Sequence, residues 1–320
     1  MAKTEKSQYV AQVIRDYEKY LSSTEELRYK ESDSLVDVMM KAKQRSALGI
    51  FTAYEDNVIV LQDKLKSSVK FRLPENGSVM NGVTEGKTLP FIINNFLYEQ
   101  HLPYPQITLE FDTSNITADN RKYRASVIYV EEIPREEGQR ALLRANIVKK
   151  IKNGFDEHYS WSYLKYALEI DFEQVNSDTT DYFDFVKVFK WDESDKTSPK
   201  ETIQNTQHEI EVLLQFMLAL SCRNVEVKQE FAPNPKENAK RAQKGHTLKY
   251  QYNTITINTD KGGKSDAGHG NGAGTGRTVS PHLRRGHIRR YENKNVWIES
   301  TVVKADKADD SLKAKKYVIK

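Results

Sequence analysis

The chain holds a single cysteine, Cys222, in 320 residues, so no intrachain disulfide framework exists. It also lacks a long hydrophobic run. The longest, Val212 to Cys222, spans 11 residues with Gln215 inside it, against the roughly 18 or more that a membrane-spanning helix requires. No membrane partner is expected. The opening MAKTEKSQYV carries no apolar signal-type core, which argues against secretion and for a cytoplasmic chain. Apolar residues are sparse: Ala, Val, Ile, Leu, Met, Phe, Trp, Cys and Gly make up about 37%, below the roughly 45 to 50% of an average domain. With 29% charged residues and a mean hydropathy of −0.71, the surface is wet. Cys222 sits on the apolar stretch LLQFMLALSC and reads as a buried structural residue rather than a nucleophile.

What is present has the length for one large domain or two. Residues 1–48 read as a helical region: Val10, Val13, Ile14, Tyr17, Tyr20 and Leu21 recur at helical spacing, and Ser23 with Glu26 forms a capping-box pattern for a second helix. Leu35, Val36, Val38, Met39, Met40 and Ala42 extend an apolar face that Gly49 is expected to end. Residues 49–260 form an α+β core. Val58–Leu61 and Val69–Leu73 are too short to assign, Leu89–Gln100 has helical length, and Gln106–Asp112 and Tyr123–Ile133 alternate as strands. Arg140–Ile151 is a third candidate strand, and Asp181–Trp191 alternates most clearly. Pro199 opens a long central helix running to about Ser221, followed by strand-like Val225–Phe231, the basic helical piece PKENAKRAQKG and the strand Leu248–Ile257. Helices first and strands interleaved later predict a mixed or antiparallel sheet around that long helix. Residues 261–276 are a Gly-rich flexible loop, 277–304 a basic segment whose last strand, Val296–Val303, packs on the core, and 305–320 a mixed-charge tail.

The formal net charge of +4 is uneven. Residues 236 to 294 carry 13 Lys or Arg against 4 Asp or Glu, leaving the remainder at −5. Concentrated positive charge attracts phosphates and releases their counterions, so this region is the candidate nucleic-acid surface. The sharpest feature is PHLRRGHIRRY, where His282 and His287 bracket Arg284 and Arg285, with Arg289, Arg290 and Tyr291 beyond. Arginine forks suit phosphates and guanine edges, and Tyr291 and Trp297 are placed to stack on unpaired bases. Arg241, Lys244 and Arg277 complete the candidate set. Two histidines five apart lack neighbouring carboxylates or cysteines, so no metal site and no cofactor is expected. NTDKGGKS, residues 258–265, imitates a phosphate loop but has Asn258 for the first glycine and no helix after it. Asp171, Glu173, Asp178, Asp181 and Asp184 read as a solvated acidic patch.

The C-terminal motifs resemble a family of phage and plasmid proteins that includes a type V-A anti-CRISPR protein, one that lowers production of the CRISPR effector nuclease. The resemblance is carried by Cys222, Arg223, Asn224 and Val225; by Pro235, Asn238, Arg241 and Gly245; and by Pro281, His282, Arg284, Arg285, Gly286, His287, Arg289 and Trp297. LPYPQITLEF, Leu102 to Phe111, is also shared. Ile288 stands where that family usually has Trp, which removes stacking at that position. The resemblance implies action in the host-cell cytoplasm on a translated message, with the nascent effector chain recognised and RNA or the ribosome contacted. Beside this reading stand two others: a metal- or histidine-dependent nuclease, with His287 or His282 as general base and Arg285 stabilising phosphorane charge, and a purely structural role in which the RRGH segment anchors the last strand. The sequence leaves the oligomeric state open.

Overall fold

The computed structural model describes residues 8–25, 32–47, 52–79, 93, 97, 100–113, 123–137, 139–152, 159–161, 166–175, 179, 181–190, 198–246, 248–257, 282–284, 287–291, 294–298 and 301–303. These form five α-helices and thirteen strands in an α+β arrangement. Helices α1 (Tyr9–Glu25), α2 (Leu35–Ala47) and α3 (Thr52–Ser67) come first. Strands β1 (Val69–Arg72), β2 (Gln106–Asp112), β3 (Tyr123–Ile133), β4 (Leu142–Lys152), β5 (Tyr159–Trp161), β6 (Tyr166–Ile170) and β7 (Val186–Lys190) follow. Then come α4 (Pro199–Leu220), β8 (Val225–Phe231), α5 (Pro235–Gln243) and β9 (Tyr252–Ile257). One nine-stranded sheet runs β7-β6-β4-β3-β2-β1-β9-β8, with β5 paired to β4. β1 is parallel to both β2 and β9, and the other pairings are antiparallel, so the sheet is mixed. No helix among the described residues is long and apolar enough to cross a membrane.

Strand alternation sorts side chains to the two faces. Ile107, Leu109 and Phe111 of β2, Ile128 and Val130 of β3, and Leu143, Ala145 and Ile147 of β4 join one buried cluster with Ile203, Ile210, Leu213, Phe216 and Met217 of α4. Ala125, Val127 and Tyr129 of β3 and Val148 of β4 join a second cluster with Val10, Val13, Ile14 and Tyr17 of α1 and Val58, Leu61 and Leu65 of α3. The long helix therefore covers one face of the sheet, while α1 and α3 cover the other. Ser198 caps α4 by accepting from the Glu201 N–H, and Pro199 occupies its first turn. On the α4 face, buried Glu209 accepts from Ser126 Oγ at 2.7 Å and pairs with Lys149 at 2.9 Å.

The α1 face carries a buried polar node. Glu110 on β2 has no solvent exposure and meets its ladder partner Arg72 at 2.7 Å. Its carboxylate also accepts from the Tyr252 hydroxyl at 2.8 Å and from the Val10 N–H at 3.0 Å, so it caps α1 from the sheet. Burial raises the Glu110 carboxyl above its usual range, against the pull of Arg72, Val10 and Tyr252. Two residues along β1, Lys70 donates to the Lys66 and Ser68 carbonyls and lies 4.6 Å from the Tyr250 ring, as Arg72 lies 4.8 Å from the Tyr252 ring. Burial pushes Lys70 down to about 8 and Tyr250 up to about 12.

Several sequence expectations change. Ser23 lies within α1, and the second helix begins at Leu35, where Ser34 Oγ accepts from the Asp37 N–H while the Ser34 N–H donates to the Asp37 carboxylate. These Ser34 bonds hold Asp37 below the usual carboxylate range. Val58–Leu61 belongs to α3, and Val69–Arg72 is the parallel strand β1. The expected strand Asp181–Trp191 splits, because Asp181 and Asp184 cap a 3-10 turn at Tyr182–Asp184 and β7 starts only at Val186. Asp171 is buried and paired with Arg135 at 2.7 Å, so it is structural rather than solvated, while Glu173, which accepts from the Arg140 N–H, is exposed as expected. Gly49, Asp178, the Asn258–Ser265 stretch, the loop 261–276 and the tail 305–320 lie outside the described residues. Of Leu89–Gln100, Ile93, Leu97 and Gln100 are described, the first two fully buried.

Two outcomes follow from the node. Glu110→Ala leaves the Arg72 charge buried without its partner and should lower unfolding free energy by about 3 to 5 kcal/mol, read from denaturant midpoints. Lys70 acts in the opposite sense: below pH 8 the fold must hold its charge in the interior, whereas above that pH the folded chain releases a proton the unfolded chain keeps until about pH 10.5. Stability should therefore climb by about 2 kcal/mol between pH 8 and 10, a slope that Lys70→Met removes. Above pH 10 the buried tyrosines, all shifted upward by burial, reverse the trend.

Candidate nucleic-acid interface

Helix α5 is built without a core. None of its residues is buried, so its ends hold it. Asn234 caps the start by accepting from the Lys236 N–H at 2.9 Å, and Pro235 sits in the first turn. Gly245, at φ +66°, closes the end: its N–H donates to the Ala242 carbonyl at 3.0 Å, and the His246 N–H to the Arg241 carbonyl at 2.8 Å, the paired bonds of a Schellman turn. Asn238 then fastens the helix to the approach to β9, donating to the Lys249 carbonyl and accepting from the Lys249 N–H at 2.8 and 2.9 Å. Glu237 pairs with Lys249 at 2.8 Å.

This frame presents Lys236, Lys240 and Lys244 at i, i+4 and i+8, all exposed. They stand in one row with steps of about 6 Å along the axis. Lys244 was expected in the site; Lys236 and Lys240 were missed, although their four-residue spacing in PKENAKRAQK is visible in sequence. Arg241, also expected, lies off that row and is half-buried.

The second basic element is a hairpin that the sequence did not announce. Strands β10 (His282–Arg284) and β13 (Thr301–Val303) pair antiparallel, as do β11 (His287–Tyr291) and β12 (Lys294–Ile298). The partners His282↔Val303, His287↔Ile298 and Tyr291↔Lys294 share one register, so the two ladders are parts of the same antiparallel pairing. Ile288 is buried in the α4-side core, so it is a packing residue. Its neighbour Arg289 is exposed. His282 and Arg284 stand on β10, His287, Arg289, Arg290 and Tyr291 on β11, and Trp297 on β12 opposite Ile288. Arg277 and Arg285 lie outside the described residues.

The hairpin is tied to the end of α4. Cys222 bridges to Asn295, and the Arg223 N–H donates to the Asn295 carbonyl at 2.9 Å. Val225 then opens β8, which leads to α5. Burial pushes the Cys222 thiol up to about 11, so at neutral pH it is a protonated packing group whose Sγ–H points to the Leu218 carbonyl at 3.6 Å.

The staple is testable. Asn238→Ala removes two hydrogen bonds, a loss of about 1 to 2 kcal/mol. The Lys249 amide should then exchange hydrogen roughly tenfold faster, while core amides on β3 and β4 stay unchanged.

No curated protein and no solved structure matches the chain. Residues 85–305, well over half of the chain, match the AcrVA2-like family, described as the anti-CRISPR type V subtype A2 family. The match takes in β2 through β13, both basic elements and the Cys222–Val225 junction between them. The chain belongs to the anti-CRISPR type V subtype A2 family.

Proposed function

We propose that the protein is a phage- or plasmid-encoded regulator that lowers CRISPR effector production by acting on the translated message. Its α+β body recognises a protein partner, the nascent effector chain, and its basic C-terminal region contacts RNA or the ribosome in the host cytoplasm. The observation that supports this reading is the exposed lysine row on α5, held in place by caps and a staple rather than by a core. A helix whose frame does nothing for the hydrophobic interior, yet keeps three ammonium groups in line, suits a phosphate backbone. Arg289 on the hairpin adds a further exposed cation. Arg284, Arg285, Arg290, Arg277 and Arg241 would extend the phosphate contacts, with His282 and His287 hydrogen-bonding phosphate or a base edge and Tyr291 and Trp297 stacking.

The test is RNA association at several salt concentrations. Lys236→Glu, Lys240→Glu and Lys244→Glu together should weaken binding and make the slope of log K against log salt shallower by about 2, since each phosphate contact on single strands contributes about 0.7. The fold should persist, because the three positions are exposed. Unchanged affinity and slope in the triple variant would overturn the role of α5. Cleavage of labelled RNA that is lost in His287→Ala would instead establish a nuclease.

A further inference from the structure

One end of the large sheet is left open. Strand β7 stands first in the strand order and pairs on one side, with β6. The Asp171 N–H donates to the Phe185 carbonyl at 2.9 Å just where that pairing starts, and bonded pairs alternate along an antiparallel ladder. Glu169 with Lys187 and Ala167 with Phe189 are therefore the bonded pairs. Val186 and Val188 turn their N–H and C=O groups outward, and among the described residues none bonds to them.

These outward groups open onto a groove. About 650 Å³ lies between β7 and the first turns of α4, lined by Val186, Lys187, Val188, Pro199, Lys200 and Ile203, within the roughly 300 to 1,000 Å³ of ligand-binding clefts. Val186 and Ile203 belong to the α4-side core and Val188 packs against it, so the floor is apolar. The opposite face of β7 differs. Phe189 is 48% exposed. Lys187 is exposed too, and the acid across the ladder from it, Glu169, is already taken by Arg144 at 2.7 Å.

Those features define the occupant. Unpaired main-chain groups along an open edge are satisfied by another extended backbone. Alternation along an added strand sends one set of side chains over the groove, where Val188 and Ile203 favour apolar groups. The other set lies beside Lys187, where a carboxylate gains a partner. A second copy of β7 does not fit: VKVFK holds two lysines and no acid, so self-pairing adds only like charge.

We propose that the β7 edge is a docking site for an extended peptide of a partner protein, in which apolar residues alternate with acidic ones, added to the sheet as a further strand. The site refines the reading that the body recognises a protein partner and rests on it only for the identity of that protein. Its test uses neither RNA nor an effector, so its failure leaves the RNA test standing.

The probes are the capped hexapeptides EVEVEV and KVKVKV, added to the full chain. Amide exchange followed residue by residue by NMR should find Val188 fast, and its bonded neighbours Lys187 and Phe189 slow, before any peptide is added. EVEVEV at roughly ten times its Kd should slow Val188 about tenfold, the mass-action factor, and KVKVKV at the same concentration should leave it fast. Lys187→Glu, at an exposed position, should exchange the two preferences. Val188→Pro removes an outward N–H that β6 does not use, so the chain should fold and bind neither peptide. Val188 that stays fast in millimolar EVEVEV, equal protection by the two peptides, or protection that rises with protein concentration alone, the mark of a second copy on the edge, would each overturn the proposal.

Discussion

The arrangement of the molecule depends on one buried carboxylate. Glu110 has no solvent exposure and sits in the middle of the sheet, where an unpaired charge would be intolerable. Its partners come from three other elements: Arg72 on β1, Tyr252 on β9 and the first turn of α1 through Val10. Satisfying that one group fixes β1 and β9 beside β2 and places the start of α1 over them. A one-residue slip of β2 would carry Glu110 to the α4 face and Leu109 or Phe111 away from it, which is why the register is unambiguous. The same motif repeats two residues along the strand, with Lys70 over Tyr250 as Arg72 is over Tyr252. The α1 face of the sheet is thus cemented by charge and aromatic rings at β1 and β9, and by packing at β3 and β4.

From this node the basic surface can be traced bond by bond. Tyr252 holds β9, the residues just before β9 carry Lys249, and Lys249 holds Asn238 and with it α5. The Tyr250 N–H meets Gln8 Oε1 at 3.3 Å, so the N-terminal helix and the root of α5 share an anchor. The hairpin is attached differently, through Cys222 and Arg223 at the end of α4 and through Ile288 in the core. Both attachments meet at the Cys222–Val225 junction, where the chain leaves α4, touches Asn295 and enters β8 on its way to α5.

Much of this was legible. Periodicity located α1, α4, β2, β3, β8 and α5, because each has an apolar face or a capping pair that is local in sequence. What sequence could not show was set by distant partners. QITLEFD reads as an alternating strand, yet nothing in it says that Glu110 is its deepest residue, since Arg72 and Tyr252 lie 38 and 142 positions away. Ser23 and Ser34 both resemble helix caps, and only the Asp37 partner decides between them. The strand expected at Asp181–Trp191 begins late because Asp181 and Asp184 compete for the backbone. The hairpin at 282–303 was hidden by its own charge: a run of arginines obscures the alternation that Ile288 and Arg289 reveal once burial is known.

Three residues of the α5 segment are framework. Pro235 starts the helix, Asn238 staples it, and Gly245 ends it in a conformation that costs a side chain about 1 kcal/mol or more and glycine nothing. Cys222 packs, and its neighbour Arg223 contributes a main-chain bond rather than its guanidinium to the Asn295 contact. Pro235, Asn238 and Gly245 thus specify where a short exposed helix stands, while Lys236, Lys240 and Lys244 lie between and beside them. A point charge on a flexible stem reaches a phosphate from several places, so its exact position is under weak geometric demand. The caps and the staple have no such latitude, because each hydrogen bond tolerates only a few tenths of an ångström. A helix with no buried side chain depends on those bonds for its existence, and the row of cations depends on the helix for its spacing.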